Sequence, residues 1–323
     1  MSKLELTRLV ECVPNVSEGR RPEVVDEIVA AFAGAGPEVL VLDRSSDPDH
    51  NRTVITLMGP GPALVEAAVA GARACVRLID LNTHRGVHPR MGALDVLPFV
   101  PFGAVTRLRG GDDPELDCTD LAELAGRRIA EEAGVPVYLY GAAARHPGWA
   151  ALPAVRGKGF EALRAGQEVG DADRGPDFGG PGLHPTAGAT AVGAREVLIA
   201  YNVELAGADL TLARRIASAV RERDGGLPAV RAMGVPLEAR HQVQVSMNLL
   251  DWRVTPPAKA YAAVAALAEQ HGARVEASEI VGLAPAGSLG VADPAELRLR
   301  GTLDDLLLES RLLQALTTKE RLR

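Results

Sequence analysis

The sequence predicts an α/β (α+β) protein made of two halves, each of the βαββαβ type. Three observations carry this reading. A chain of 323 residues is long enough for about two domains. Apolar runs of strand length alternate with stretches of helical period. The order of that alternation also recurs along the chain. Residues are 47% hydrophobic but only 3% aromatic, so the cores must be aliphatic.

The first half opens with a strand over 7–14 that breaks at Pro14-Asn15. Ser17-Glu18-Gly19 leads into a helical pattern at Val24, Val25, Ile28, Val29 and Phe32. Pro22 stands near its start, where a missing N–H costs little. Val39–Asp43 and Thr53–Met58 are short apolar runs bounded by turn residues, hence strands. Pro62–Arg77 is Ala-rich with helical spacing; Leu94–Val100 reads as a strand, Leu121–Ala133 as a helix and Val135–Tyr140 as a strand. The second half repeats the order: strand Arg195–Val203, helix Ala208–Glu222, strands Ala229–Gly234 and Gln242–Leu249, helix Ala258–His271, strand Arg274–Glu279. That is the split-βαβ arrangement; the first half fits it with one extra helix and strand. A faint echo, Val13-Pro-Asn-Val16 against Tyr201-Asn-Val203, accompanies the repeat.

Between the halves, residues 165–194 are dense in Gly, Pro and Asp. Such a segment is either an ordinary hinge or a ligand-lining connection, since glycines let a ligand approach the backbone. We place the boundary at 178/179, giving halves 1–178 and 179–323. The tail Gly301–Arg323, with Leu306, Leu307, Leu308, Leu312, Leu313 and Leu316, reads as an amphipathic helix. It either packs on its own half or meets a partner.

Composition excludes several function classes. A formal charge of −7 argues against nucleic-acid binding, which needs a basic face. No window reaches the ~18 apolar residues of a membrane span, and Met1–Arg8 is too charged for a signal peptide. Cys12, Cys75 and Cys118 are too few and too scattered for a disulfide framework, so a cytoplasmic location is expected. There is no Walker loop, no G-x-G-x-x-G after a strand and no nucleophile elbow.

The most telling stretch is Ile79–Gly92, which holds His84, Arg85, His88 and Arg90 and ends on a His-Pro-Arg-Met-Gly turn. Imidazole suits proton transfer near neutral pH, and guanidinium suits carboxylates. The bland reading is that a histidine beside a proline is only a turn residue. Gly86 and Pro89 make a regular helix, and with it a two-histidine metal site, doubtful; no metal is expected. Asp43–Arg52 is rich in hydrogen-bonding groups and could equally be a solvated hairpin loop. Arg156-Gly-Lys158-Gly-Phe160-Glu161 has the charge and aromatic ring to meet a flat anion, though as a pattern it is weak.

Together these motifs carry a resemblance. Glu11–Gly19, Ser46–Val54, Ile79–Gly92, Pro136–Tyr140, Pro176–Gly179, Gly188–Arg195 and Gln244–Leu249 resemble the glutamate formimidoyltransferase (formiminotransferase) family over roughly residues 8–285, in one unbroken order. The resemblance implies two α/β subdomains facing each other across a folate-binding cleft. It also implies transfer of the formimidoyl group from N-formimino-L-glutamate to N5 of tetrahydrofolate, a step of histidine breakdown. His88 matches the family's catalytic histidine. Gly179, Gly180, Pro181, Gly182, Leu183, His184, Pro185, Thr186, Ala187 and Gly188 match its folate-binding stretch.

Charge matching then suggests Asp47 or Asp49 for the cationic amidine and Arg52 and Arg90 for substrate carboxylates, although each could be a structural ion pair. Phe178 or Leu183 is expected against the pterin, and Arg156 and Lys158 near the glutamate tail of folate. A homodimer is expected, and a separate cyclodeaminase, since bifunctional relatives continue beyond this length. Two rival readings stand beside this one: formyl transfer between 5-formyltetrahydrofolate and glutamate, and a non-catalytic folate binder.

Overall fold

The computed structural model describes residues 8–103, 105–157, 159–165, 175–237, 240–291 and 293–321. Lys158 and the start of the glycine-rich connection, 166–174, lie outside the described residues. Two compact units divide at Arg195/Glu196. The boundary expected at 178/179 therefore falls inside the first unit.

The first unit runs β1 (Leu9–Cys12), β2 (Asn15–Val16), α1 (Pro22–Ala33), β3 (Leu40–Asp47), β4 (Arg52–Pro60), α2 (Gly61–Leu78), β5 (Leu94–Pro101), α3 (Cys118–Ala133), β6 (Val137–Gly141), α4 (Leu152–Arg156), α5 (Phe160–Arg164) and β7 (Thr190–Ala194). Pro14 cannot donate to a ladder, so the first predicted strand splits into β1 and β2, both lying between β4 and β5. β3 pairs with β4 on the outer side. These strands are antiparallel, in the spatial order β3-β4-β1/β2-β5, and β7 and β6 extend the sheet in parallel beyond β5.

Helix ends follow local chemistry. Asp117 accepts from the amides of Thr119 and Asp120 and starts α3, while Gly134 at φ +69° stops it. The core is aliphatic as expected, with Val10, Leu57, Leu64, Leu97, Ile129 and Leu139 packed between the sheet and the helices. A smaller cluster of Val96, Tyr138, Tyr140, Trp149 and Val155 covers the other face at the parallel end.

β7 is the main correction. Composition alone assigns 190–194 to the glycine-rich connection, yet this segment is a fully buried strand between β5 and β6. A strand flanked by two parallel neighbours needs no apolar–polar alternation, and Thr-Ala-Val-Gly-Ala shows none. Its pairing also explains why the first unit reaches residue 195.

The second unit is β8 (Ile199–Ala206), α6 (Leu210–Val220), β9 (Val230–Leu237), β10 (Gln242–Leu249), α7 (Pro257–Glu269) and β11 (Arg274–Val281). All its strand neighbours are antiparallel, in the order β11-β8-β10-β9. This is the arrangement of β5-β1-β4-β3 in the first unit, so the predicted repeat is present in both sheets. Ile199, Tyr201, Val203 and Leu205 alternate into the core with α6 and α7. Asn202 and Glu204 take the other face, Asn202 donating to Glu279 at 2.9 Å and Glu204 accepting from Arg300 at 2.8 Å. The tail forms α8 (Leu303–Leu306) and α9 (Leu308–Arg321). Leu306, Leu308 and Leu312 are buried, and the chain on either side of Leu307 exchanges hydrogen bonds with Ala284. The tail thus packs on its own unit, leaving Leu313 exposed.

Candidate active site

One edge of the first sheet gathers the polar residues. β3 ends there at Asp47, β4 begins at Arg52 and β2 ends at Val16; β5, β7 and β6 all begin there. The strands extend further than their apolar runs predict, so the expected long loop 43–52 shrinks to a turn over 48–51.

That turn docks on the loop that precedes β5. The Val87 amide donates to the Asp49 carbonyl at 3.2 Å, Asn51 Nδ2 to the Arg85 carbonyl at 2.9 Å, and His84 Nε2 to the Asn51 carbonyl at 2.9 Å. A Cβ at Gly86 would stand 2.3 Å from the His50 carbonyl oxygen, so only glycine permits this approach. The two polar stretches singled out in the sequence are therefore one body. His84 is a buried, neutral imidazole: burial pushes its pKa down.

His88 lies at the centre. Its Nδ1 is 3.0 Å from Arg52 Nη1 and 2.7 Å from the Pro89 carbonyl oxygen. The His50 ring stands 6.0 Å away, centroid to centroid. Burial first, then the charges of Arg52 and Arg156, hold His88 well below the usual imidazole range, so it is neutral at pH 7.

Behind His88 is a buried ion cluster that sequence reasoning missed. Asp95 has no solvent exposure. Its Oδ2 accepts from Arg52 Nη1 at 2.9 Å and Arg156 Nη2 at 2.6 Å, and its Oδ1 accepts from the Met91 amide at 2.8 Å. Burial alone would raise its pKa, but Arg156, Arg52 and the Met91 amide override this and keep it ionised. Asp95 reaches this position through a break in register: Asn15 pairs with Val96 and Val16 with Leu94, so Asp95 is the bulged residue between them. A sequence signal existed, since an aspartate inside the apolar run Leu94–Val100 is costly unless paired.

The other charged candidates are engaged by the protein itself. Asp47 accepts from the His50 amide at 2.8 Å and lies 3.0 Å from His50 Nδ1. Those contacts outweigh desolvation and lower its pKa. Asp49 meets the His88 loop through its backbone carbonyl. Arg90 forks onto both oxygens of Glu161, at 2.6 and 3.2 Å. Arg52 spends its donors on Asp95, His88 and, at 3.1 and 2.5 Å, Asn15 Oδ1. Glu18, within the Glu11–Gly19 motif, accepts from the amides of Gly19, Arg20 and Arg21 ahead of α1.

The 179–188 stretch runs along the same sheet edge. Phe178 pairs with Val137 just before it, and Gly180 and Gly182 face open space. His184 Nδ1 accepts from the Ala187 amide at 3.0 Å, closing a turn whose far end, Gly188, bridges Gly92. The Leu81 amide donates to the Thr186 carbonyl and the Asn82 side chain to that of Pro185, so the turn is tied to the His88 loop. Leu183 is half-buried against the core. The Phe178 ring lies 5.2 and 4.7 Å from the guanidinium carbons of Arg127 and Arg145. A cavity lined by Arg109, Asp117, Glu123 and Arg145 sits at the start of α3, at the opposite sheet edge, with charges of both signs.

Comparison with known proteins adds the family. Residues 9–195 match the formiminotransferase domain, N-terminal subdomain, and residues 200–295 match the formiminotransferase domain. The chain is 41% identical over 308 residues to the glutamate formimidoyltransferase of Thermoplasma acidophilum, covering 95% of this chain and 98% of that one. It is 39% identical to the glutamate formimidoyltransferase of Streptococcus pyogenes, over 91% and 94% of the two chains. The formimidoyltransferase-cyclodeaminase of Sus scrofa is 42% identical over 88% of this chain and 51% of its own length.

Proposed function

The chain belongs to the formiminotransferase family, and from that premise we infer that it is a glutamate formimidoyltransferase. It transfers the formimidoyl group of N-formimino-L-glutamate to N5 of tetrahydrofolate, its co-substrate, releasing L-glutamate, as in histidine catabolism and one-carbon metabolism. The observation that carries this is 41% identity over 95% of the chain to an enzyme of that name.

In the proposed mechanism tetrahydrofolate supplies N5 as the nucleophile. Nε2 of His88 takes the proton that N5 sheds on attacking the amidine carbon, then returns it to the departing glutamate nitrogen. The ring therefore starts and ends neutral, and burial with two guanidiniums nearby favours that state. Acid–base help of this kind is worth about 10²–10⁴-fold, or roughly 3–5 kcal/mol of barrier. An ionised Asp47 is our first choice to orient the cationic amidine, with Asp49 second. Arg52 and Arg90 match substrate carboxylates on charge alone. Since their donors are engaged by protein partners, they act by shaping the site. The open backbone at Gly180 and Gly182, and the turn closed by His184, suit a flat ring laid against the 179–188 stretch.

We infer that the enzyme works in the cytoplasm as a homodimer. Among the described residues no helix is long and apolar enough to cross a membrane. Light scattering tests the dimer.

The decisive assay mixes N-formimino-L-glutamate with tetrahydrofolate and follows glutamate release. Release that depends on tetrahydrofolate is the expected result. His88→Ala is expected to cost about 10²–10⁴-fold in kcat with folate affinity kept; unchanged turnover would remove His88 from the mechanism. No turnover with folate still bound, but activity with 5-formyltetrahydrofolate and glutamate, would move the enzyme to formyl transfer.

A further inference from the structure

We propose that Asp95 is the positioning residue for His88: it holds Arg52 and the Met91 amide of the loop that carries the ring, and it cancels one of the two guanidinium charges behind the imidazole. The proposal rests on the transferase reading for its kinetic consequence, but its geometry stands apart from that reading. Arg52 donates through Nε and Nη2 to Asn15 Oδ1, and through Nη1 to Asp95 Oδ2 and to His88 Nδ1, at 2.9 and 3.0 Å for the last two. A guanidinium has no acceptor, so the Arg52 contact requires a lone pair on Nδ1. The Pro89 carbonyl, 2.7 Å from the same nitrogen, accepts only if Nδ1 carries a proton. His88 Nδ1 thus sits between a fixed donor and a fixed acceptor, and both neutral tautomers have a partner.

Proton transfer needs the second tautomer and then the imidazolium. With Nδ1–H held by Pro89, Nε2 has the lone pair that takes a proton; the ring is then cationic, and Arg52 and Arg156 drive the proton onward. The charge count decides how far. Two guanidiniums less one carboxylate leave a net single positive charge behind the ring, with His50 and Asp47 on the side of the 48–51 turn. Without Asp95 two positive charges would oppose the imidazolium, and Arg52 would lose the carboxylate that aims it. Asp95 also holds the Met91 amide, so the loop carrying His88 and its ionic backing are set by one side chain.

A merely structural ion cluster would alter folding without altering His88's titration, and the test uses that difference. Asp95→Asn, Asp95→Glu and Arg156→Gln are compared with the parent in full-length protein. Two readouts are taken: the acid limb of kcat at saturating substrates, and the ¹⁵N-imidazole NMR titration of His88 in the ligand-free enzyme, identified by its loss in His88→Ala. For Asp95→Asn we expect the His88 midpoint to fall further and kcat to drop on the order of 10²-fold, with little change in KM. Asp95→Glu is expected to restore part of both. Arg156→Gln removes a positive charge, so the midpoint is expected to rise; this sign decides the matter if Asp95→Asn does not fold. Midpoints that coincide with the parent's in the folded variants would overturn the proposal. A parent without transfer activity would sink the transferase reading alone, since the NMR titration still reads the effect of Asp95.

Discussion

His88 and His84 are two imidazoles kept neutral inside the protein, and each links stability to pH. Their folded pKa values lie below the unfolded value of about 6.5, with burial the first cause for both. The native state therefore binds fewer protons than the unfolded state as pH falls below that value. Their stability contribution is complete above about pH 6.5 and declines below it, by up to about 1.4 kcal/mol per pH unit for each histidine. Urea unfolding at pH 7.5, 6.5 and 5.5 is expected to show this slope, and His84→Gln should remove part of it. An unchanged slope would mean that His84 is protonated in the native state. The carboxylates act in a lower window: Asp47 and Asp95 have depressed pKa values and lose their contribution only as pH falls through and below about 4. At this scale the polar stretch around His88 was legible as a motif, because its composition is unusual. The buried contact of Asp95 with Arg52 and Arg156 was not, because it depends on a bulge that brings β2 and β5 out of register at one residue.

Between elements, two glycines separate stability from activity. Gly71 lies within α2, and a Cβ there would stand 2.2 Å from the Phe32 ring of α1. Alanine is the better helix former, but overpacking of this kind costs about 1–3 kcal/mol. Gly71→Ala is thus expected to lower the urea midpoint while folded enzyme keeps its specific activity. Gly188 has φ +71°, and its Cβ would meet the Met91 carbonyl oxygen at 2.2 Å. Here backbone meets backbone, three residues from His88, so Gly188→Ala is expected to lower kcat as well as stability. Equal specific activity in the two folded variants would detach the 179–188 turn from the site. Most elements were readable from period alone: Gln242–Leu249 has the bounds assigned from sequence, and α6 and α7 differ by a few residues. β7 was not, since a short run of small residues takes its strand character only from its two neighbours.

For the whole chain, each unit has its own buried cluster: Val10 to Ala194 in the first and Ile199 to Leu306 in the second. A unit with its own core is expected to fold alone. Residues 196–323 should give a helical and sheet circular dichroism spectrum and a cooperative urea transition; a non-cooperative loss of signal would show that this core is insufficient. The sequence by itself determined the α/β class, the repeated βαββαβ order, the aliphatic cores and the histidine motif. These are local properties, written in periodicity, turn residues and short contiguous patterns. Tertiary structure alone decided that the first unit continues to residue 195, that Phe178 packs with arginines, and that Arg52, Asp95 and Arg156 stand behind His88. Those facts join residues as far apart in the chain as Asp95 and Arg156 or Phe99 and Ala194, and they arise from pairing partners, register and charge compensation that no local pattern records.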